Sequence, residues 1–275
     1  MTSSRYFFHM AFLGTNYHGW QRQGNANSIQ QVIETALSEI LKEPVSIMGC
    51  GRTDTGVHAS QFYFHADLDA RWEFDLLFRL NKVLPPDLAV YEILPMLPNQ
   101  HARFDAIQRQ YDFFIHTYKD PFLNSVSTLV ENQTWNFDKM KQAIALLTRY
   151  DDYRAFCKTP DGYEHTRCKV SSANLFTNEN GDRLRFQISA DRFLGRMVRL
   201  LMGKLIKIGA GTLSVEEFES YFIEKITPTV WDPAYAQGLF LSKVEYPYLN
   251  QPTHTNFDAI LRGETWINLS KIVGS

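Results

Sequence analysis

The sequence predicts an α+β protein made of two halves that repeat a similar order of strands and helices. Three observations carry this prediction: short apolar or alternating runs typical of strands, segments with apolar residues at helical spacing, and Gly, Pro or Asn between them. The 275 residues are 44% hydrophobic and 21% charged, which favours a packed core over disorder. The boundary lies near residues 99–109, so the halves are 1–105 and 106–247, followed by a polar tail, 248–275, without a clear pattern.

The first half is predicted to run strand, helix, strand, strand, helix, strand. Its first strand is an aromatic and apolar run. Its first helix follows a loop and has Ser28 as N-cap, with apolar residues recurring on one face. The second helix ends at Pro85, which cannot continue a helix. The strands are predicted at residues 5–13, 45–51, 60–69 and 89–97, and the helices at 28–43 and 74–85.

The second half repeats that order loosely. A helix begins after Asn136, a possible N-cap, and a hairpin turns at Asn180–Gly181. The similar order predicts a pseudo-duplicated fold with sheets at the centre. The strands are predicted at residues 110–118 and 238–246, the hairpin at 168–190, and the helices at 136–150, 193–210 and 215–224.

Charge and cysteine content limit the function classes. The net charge is -2, so nucleic-acid binding would depend on a local basic patch. The three cysteines form no CxxC pair or even-numbered framework, which favours a reducing cytoplasm. No apolar run is long enough to span a membrane, and the N-terminus lacks the apolar core of a signal peptide. We expect a soluble cytoplasmic protein.

The run CGRTDTGVHAS, residues 50–60, concentrates chemistry between two glycines. Asp54 can be a turn residue that caps its own backbone. Alternatively it is a functional carboxylate, kept ionised by nearby Arg52 and able to act as nucleophile or base. His58 and His65 match no standard metal spacing, so we expect no metal.

Three other segments carry candidate binding residues. Tyr111 is either a core tyrosine or a surface on which a nucleobase stacks. Arg22 lies among amides in the loop GWQRQ and could contact phosphate or base edges. Residues 191–207 read as a helix with a basic stripe that is either a solvated face or a phosphate-binding one. The stripe consists of Arg192, Arg196, Arg199, Lys204 and Lys207.

Five segments, taken in order, resemble the tRNA pseudouridine synthase A (TruA) family. GRTDTGVHA resembles the GRTDxGVHA motif of that family, and HGWQRQ resembles its N-terminal YxGWQRQ segment. HARFDA, followed by RQYDF, resembles its tyrosine segment. RFLGRMVRLLMG and AQGLFLSKVEYP resemble its basic helix and its closing strand. The resemblance extends from about Tyr6 to Pro247, nearly the whole chain.

This resemblance implies a fold, a reaction and partners. The fold would be two ferredoxin-like (RRM-like) halves whose antiparallel sheets merge around a central active-site cleft. The reaction would be isomerisation of uridine to pseudouridine in the anticodon stem-loop of tRNA. It would need no metal or organic cofactor. The family acts as homodimers in which one tRNA contacts both subunits.

The resemblance also assigns roles to residues. Asp54 would be the nucleophile, attacking either the uracil ring or the sugar, and Arg52 would help to flip the target base out of the stem-loop. Tyr111 would stack on the uracil and could take its C5 proton, and Arg199 would pair with Asp54 and keep it charged. Further contacts to the substrate are expected from Arg22, Thr53, His58, Arg192 and Arg196.

Departures from the family pattern leave two alternatives open. Thr55 stands where alanine is usual, and Gln110, Asp112 and Phe113 replace two cations and a tyrosine beside Tyr111. The chain could therefore be a paralogue with another RNA target, or a tRNA-binding or folding module without catalysis. A carboxylate glycosidase is disfavoured because the motif lacks a second acid.

Overall fold

The computed structural model describes residues 3–69, 72–131, 134–226, 232–253 and 265–271. The chain forms two compact units. The first comprises Met1–Ile107 and Phe240–Asn256, and the second comprises Gln108–Leu239 and Phe257–Ser275. Helices accompany a mostly antiparallel sheet in each unit, which confirms the predicted α+β class.

The first unit follows the β-α-β-β-α-β order of ferredoxin-like folds. Strand β1 lies between β3 and β4 and is antiparallel to both. The short β2 pairs with the C-terminal part of β3. The elements are β1 (Ser4–Phe12), α1 (Ile29–Leu41), β2 (Met48–Gly49), β3 (His58–Leu68), α2 (Leu76–Val83) and β4 (Leu88–Met96).

The last predicted strand is present, but most of it belongs to the first unit and not to the second. The sequence predicts residues 238–246 in the second half, whereas Phe240–Asn256 groups with the first unit. The reason is strand pairing: β9 (Leu239–Glu245) runs parallel to the start of β3, with His58 opposite Phe240. Tyr246 adds a hydrogen bond from its hydroxyl to the carbonyl oxygen of Ala102.

Aromatic side chains fill both faces of the first sheet. Phe8 and Phe64 stack at 4.6 Å on one face, and Phe7 packs against Tyr246 on the other. Helix α1 begins as predicted, because the Ser28 hydroxyl accepts a hydrogen bond from the amide of Gln31 at 3.3 Å. Apolar burial on both faces explains why β1 reads as a continuous hydrophobic run.

The second unit has a sheet of five strands in the described residues, in the order β10-β7-β8-β5 with β6 parallel to β5. The predicted hairpin is present between β7 and β8, where Gly181 has a φ of +72°. Before the hairpin, Asn136 caps the helix that starts at Phe137 by accepting from the amide of Lys139. The elements are β5 (Gln108–His116), β6 (Thr128–Leu129), α3 (Phe137–Leu146), β7 (Val170–Thr177), β8 (Arg183–Ala190), α4 (Met197–Gly209), α5 (Val215–Glu224) and β10 (Ile267–Asn268).

Part of the C-terminal tail belongs to this second sheet. In β10, Ile267 lies opposite Thr177, and the amide of Leu175 donates to the Ser270 hydroxyl at 3.0 Å. The sequence pattern did not predict this strand because it is only two residues long. Within the described ranges, no helix has the length and apolar character needed to cross a membrane.

Candidate active site

The segment that carries Asp54 connects β2 to β3 and is fixed at both ends. The Cys50 amide donates to the carbonyl oxygen of Tyr63 at 2.7 Å. At the other end, the Val57 amide donates to the carbonyl oxygen of Asp54 at 3.1 Å, closing a turn over Gly56, whose φ is +77°. The turn keeps Asp54 partly exposed, between the buried Thr53 and the exposed Thr55.

His58 supports this segment through buried contacts. Its ring is fully buried and its Nδ1 accepts a hydrogen bond from the Gly14 amide at 2.9 Å. The ring also packs 4.5 Å from that of Phe240. The family resemblance predicts that His58 contacts substrate, and its complete burial within the chain contradicts that prediction. Its role is to hold the loop of Gly14 against the start of β3.

The GWQRQ loop lies directly against the Asp54 segment. The Trp20 amide donates to the carbonyl oxygen of Thr53 at 3.3 Å. The Trp20 ring is buried and lies 4.2 Å from the ring of Phe62, so it anchors the loop in the core. Gly19 allows this approach, because a Cβ there would lie 2.3 Å from the Thr53 carbonyl oxygen.

This contact joins the two segments that carry Arg22, Arg52 and Thr53. Arg52 is exposed and its Nε donates to Oε1 of Gln21 at 3.1 Å. Arg22 is 62% exposed and its Nη1 lies 3.1 Å from Oε2 of Glu34. Thr53 is buried, and its hydroxyl has no hydrogen-bond partner in the described part of the chain. Both guanidinium groups are therefore exposed although each is held by the protein.

The residues that hold these arginines were not predicted from the sequence. Gln21 and Gln30 bond to other side chains of the first unit, so these amides are not simply free to contact RNA. The available signal was in α1, where Gln30 and Glu34 are polar residues spaced i, i+4 beside the buried Ile29 and Ile33. Polar groups on a buried helix face need partners, and here the partners are loop residues.

Tyr111 and Arg199 lie on the second unit. Tyr111 is half-buried in β5, where its ring meets that of Phe193 edge to face at 5.0 Å. In α4, Arg199 Nε donates to the carbonyl oxygen of Ala234 at 2.7 Å, and the Ala234 amide donates back to the carbonyl oxygen of Arg199. Both side chains are thus held in place locally. The expected pairing of Asp54 with Arg199 stays a prediction.

The close approach to Ala234 also explains the glycine in the MVRLLMG segment. A Cβ on Gly203 would lie 1.9 Å from the carbonyl oxygen of Asp232, so no side chain fits there. The segment 232–234 therefore lies directly on α4 and supplies the carbonyl group that binds Arg199.

The predicted five-residue basic stripe on one helix is wrong. Helix α4 starts only at Met197, because Arg196 has a left-handed φ of +63°. Lys204 is buried against the ring of Tyr221, and burial lowers its pKa. Lys207 forms an ion pair with Asp232. The buried face of α4 is wider than the sequence pattern predicts, and it includes Lys204 from the expected basic face.

The two other arginines of the stripe lie before the helix. Arg196 is half-buried at the N-cap, and Arg192 lies over the ring of Tyr163 at 5.8 Å. The Tyr163 hydroxyl accepts from the Gly195 amide at 3.0 Å, which fixes this turn. Arg192 and Arg196 thus remain candidates for RNA contact, in a loop rather than along a helix.

The unusual acid beside Tyr111 forms an ion pair within the second unit. The Asp112 side chain is fully buried, and its Oδ1 accepts from Arg185 Nε at 2.6 Å and from Gln187 Nε2 at 3.2 Å. Asp112 therefore does not present negative charge to a ligand. Gln110 also turns to it, with its Nε2 3.4 Å from Oδ2.

No group of three or more His, Cys, Asp or Glu side chains that could hold a metal ion occurs in the described ranges. Cys50, Cys157 and Cys168 are buried free thiols. Burial is the main cause that raises the pKa of Cys157 and that of Cys168, the latter to about 12. Neither of these two thiols is therefore disposed to act as a thiolate nucleophile.

Comparison with known proteins gives a consistent result. A family model described as tRNA pseudouridine synthase matches residues 126–247. A tRNA pseudouridine synthase A of Porphyromonas gingivalis is 38% identical over 89% of this chain and 98% of its own length. The protein of that name in Bacteroides fragilis is 38% identical over 90% and 98%. The one in Acinetobacter baylyi is 32% identical over 96% of both.

Proposed function

The chain belongs to the tRNA pseudouridine synthase A family, and from this we propose that it isomerises uridine to pseudouridine in tRNA. The observation that carries the proposal is the GRTDTGVHA segment, which presents Asp54 on a turn fixed from both sides. We also propose that the target uridines lie in the anticodon stem-loop and that the protein acts in the cytoplasm as a homodimer.

The reaction breaks one bond, forms another and consumes no energy carrier. The glycosidic C1′–N1 bond breaks, the uracil turns, and a C1′–C5 bond forms. C5 loses its proton and N1 gains one, so the product is an isomer of uridine. Asp54 is the proposed nucleophile, attacking either the uracil ring or C1′ of the sugar. Each route gives a covalent intermediate that splits one difficult step into easier ones. These proposed steps need no metal or organic cofactor.

Other residues have supporting roles in this proposal. Arg52 helps to extrude the target base, which must leave the stem-loop before Asp54 can reach it. Tyr111 stacks on the uracil and accepts the C5 proton. Arg199 pairs with Asp54 and offsets its negative charge. Arg22, Thr53, Arg192 and Arg196 contribute contacts to the RNA.

The names of the relatives do not favour a tRNA-binding module without catalysis. That alternative relied on the altered tyrosine segment, and the acid added there is paired with Arg185. The support for catalysis is therefore stronger than the support for binding alone.

Position mapping tests the proposed target. The protein is incubated with tRNA transcripts, and pseudouridine is located by reverse-transcription stops after carbodiimide treatment. We expect stops in the anticodon stem-loop, which disappear when those uridines are replaced by cytidine. Stops confined to other parts of the tRNA would contradict the proposed target, and they would leave the isomerase activity intact.

A further inference from the structure

A chain of hydrogen-bonded polar groups connects helix α1 to Arg52. Glu34 is buried at 7% exposure. Its Oε1 accepts from Gln30 Nε2 at 2.9 Å and from the amide of Ile47 at 3.2 Å. Its Oε2 accepts from Arg22 Nη1 at 3.1 Å. The Glu34 carboxylate thus presents only acceptors to these three donors.

This carboxylate fixes the orientation of the next two amides. Gln30 must direct its NH₂ group to Glu34, and the same group donates to the carbonyl oxygen of Ile47 at 3.2 Å. Its oxygen then faces the donors Gln21 Nε2, at 2.7 Å, and the amide of Arg22, at 3.0 Å. Gln21 in turn can only present its oxygen to Arg52 Nε, at 3.1 Å.

We propose that Glu34, Gln30 and Gln21, the amide chain, are positioning residues that hold Arg52 ready for base extrusion. The inference rests on the proposed function, in which Arg52 performs that step. A flipped amide at Gln30 or Gln21 would place a donor against a donor, so the acidic end of the amide chain determines the acceptor at the other end.

The anchoring point suits this role. Only Nε of Arg52 is bonded within the described residues, and the side chain is exposed, so both terminal nitrogens remain available for phosphate or base edges. An unanchored arginine on the surface populates many rotamers, and that freedom would be lost when RNA binds. Anchoring before binding reduces that loss and orients the terminal nitrogens.

The first experiment removes one member and uses a neighbour as control. Gln21→Ala deletes the acceptor of Arg52. Gln23→Ala deletes an amide in the same loop that, among the described residues, bonds only to the His18 carbonyl oxygen. Single-turnover release of tritium from tRNA carrying 5-tritiated uridine gives the rate, and filter binding gives the affinity. Loss of one charge-assisted hydrogen bond predicts a rate about 10-fold lower for Gln21→Ala. Gln23→Ala should match the wild type.

A second background separates positioning from general support. Lysine at position 52 keeps the charge but lacks the Nε group, so Gln21→Ala should cost almost nothing when combined with Arg52→Lys. The same 10-fold loss in both backgrounds would show that Gln21 acts independently of Arg52, and it would overturn the proposal.

A spectroscopic readout does not depend on activity. The Nε–H signal of Arg52, assigned by its absence in Arg52→Lys, should exchange with water faster in Gln21→Ala and Gln30→Ala than in the wild type or Gln23→Ala. Equal exchange rates in all four proteins would overturn the proposal. Wild-type protein that releases no tritium would count against the proposed function, and the exchange rates would still test the amide chain.

Discussion

At the residue scale, two glycines determine how closely the N-terminal loops approach the Asp54 segment. A Cβ on Gly14 would lie 2.0 Å from the carbonyl oxygen of Val57, and one on Gly19 would lie 2.3 Å from that of Thr53. Both contacts are with backbone, which cannot rotate away. The geometry of the segment is therefore tied to the absence of two side chains.

We predict that Gly19→Ala lowers both stability and turnover. The φ of Gly19 is +85°, so alanine is strained there even before the contact with Thr53 is considered. The expected loss is about 1–3 kcal/mol of unfolding free energy and most of the rate of tritium release. Gly24→Ala is the matched control, because nothing lies within 4 Å of a Cβ there. Equal effects of the two substitutions would contradict this account.

The sequence singled out candidate residues of the site but not their surroundings. The run from Gly51 to Ala59 marked Asp54 and Arg52 because an acid, a base and two glycines in a turn are an unusual combination. It could not predict that His58 is buried, because burial depends on Gly14 and Phe240, which are remote in sequence. The hydrogen bond of Arg52 to Gln21 was hidden for the same reason.

At the scale of elements, helix and strand periodicity predicted most of what the structure contains. Caps at Ser28 and Asn136 and the turn at Gly181 are local features, and all three are present. The start of α4 was missed because a left-handed residue at Arg196 gives no signal in the hydrophobic pattern. The short strands β6 and β10 were missed because two residues show no period.

We predict that Asp112→Ala destabilises the second unit strongly. It would leave Arg185 without its buried partner, and breaking such a pair costs about 3–5 kcal/mol. Urea denaturation measures the change in unfolding free energy. Arg149→Ala is the comparison, since its pair with Glu219 is largely exposed and contributes about 1 kcal/mol or less. If Asp112→Ala is no worse than Arg149→Ala, the buried pair does not stabilise the sheet.

At the scale of the whole molecule, a histidine cluster in the first unit makes stability depend on pH. His65 Nδ1 accepts from the Ala102 amide at 3.2 Å, and the ring lies 4.6 Å from that of His101. Burial first, and then the charges of Arg5 and His101, lower the pKa of His65 to about 4. The carboxylates Asp67 and Asp105 act in the opposite direction but do not prevail.

We predict that His65 contributes stability that is lost on acidification. The unfolded histidine, with a pKa of 6.5, binds a proton that the folded one excludes down to about 4. The unfolded state therefore gains protons in this window, and stability falls as pH decreases from 6.5 to about 4, by up to about 3 kcal/mol. His65→Gln should lose less unfolding free energy than the wild type over this window. Parallel pH curves for the two proteins would contradict the assignment.

The two-unit organisation could be predicted only in part from the sequence. The repeated element order indicated two halves, but the chain returns to the first unit at Phe240, which no linker or composition change marks. Strand pairing between His58 and Phe240 is a long-range contact, so periodicity could not reveal it. The tail strand β10 joins the second unit in the same way, through pairing with β7.

The most direct test of the central claim is tritium release from tRNA carrying 5-tritiated uridine, comparing the wild type with Asp54→Ala. Formation of the C1′–C5 bond must release the C5 hydrogen to water, so the label reports the reaction itself. We predict release by the wild type and none by Asp54→Ala, with tRNA affinity and thermal unfolding of the variant nearly unchanged. Release by Asp54→Ala at the wild-type rate, or none from either protein while both bind tRNA, would contradict the account.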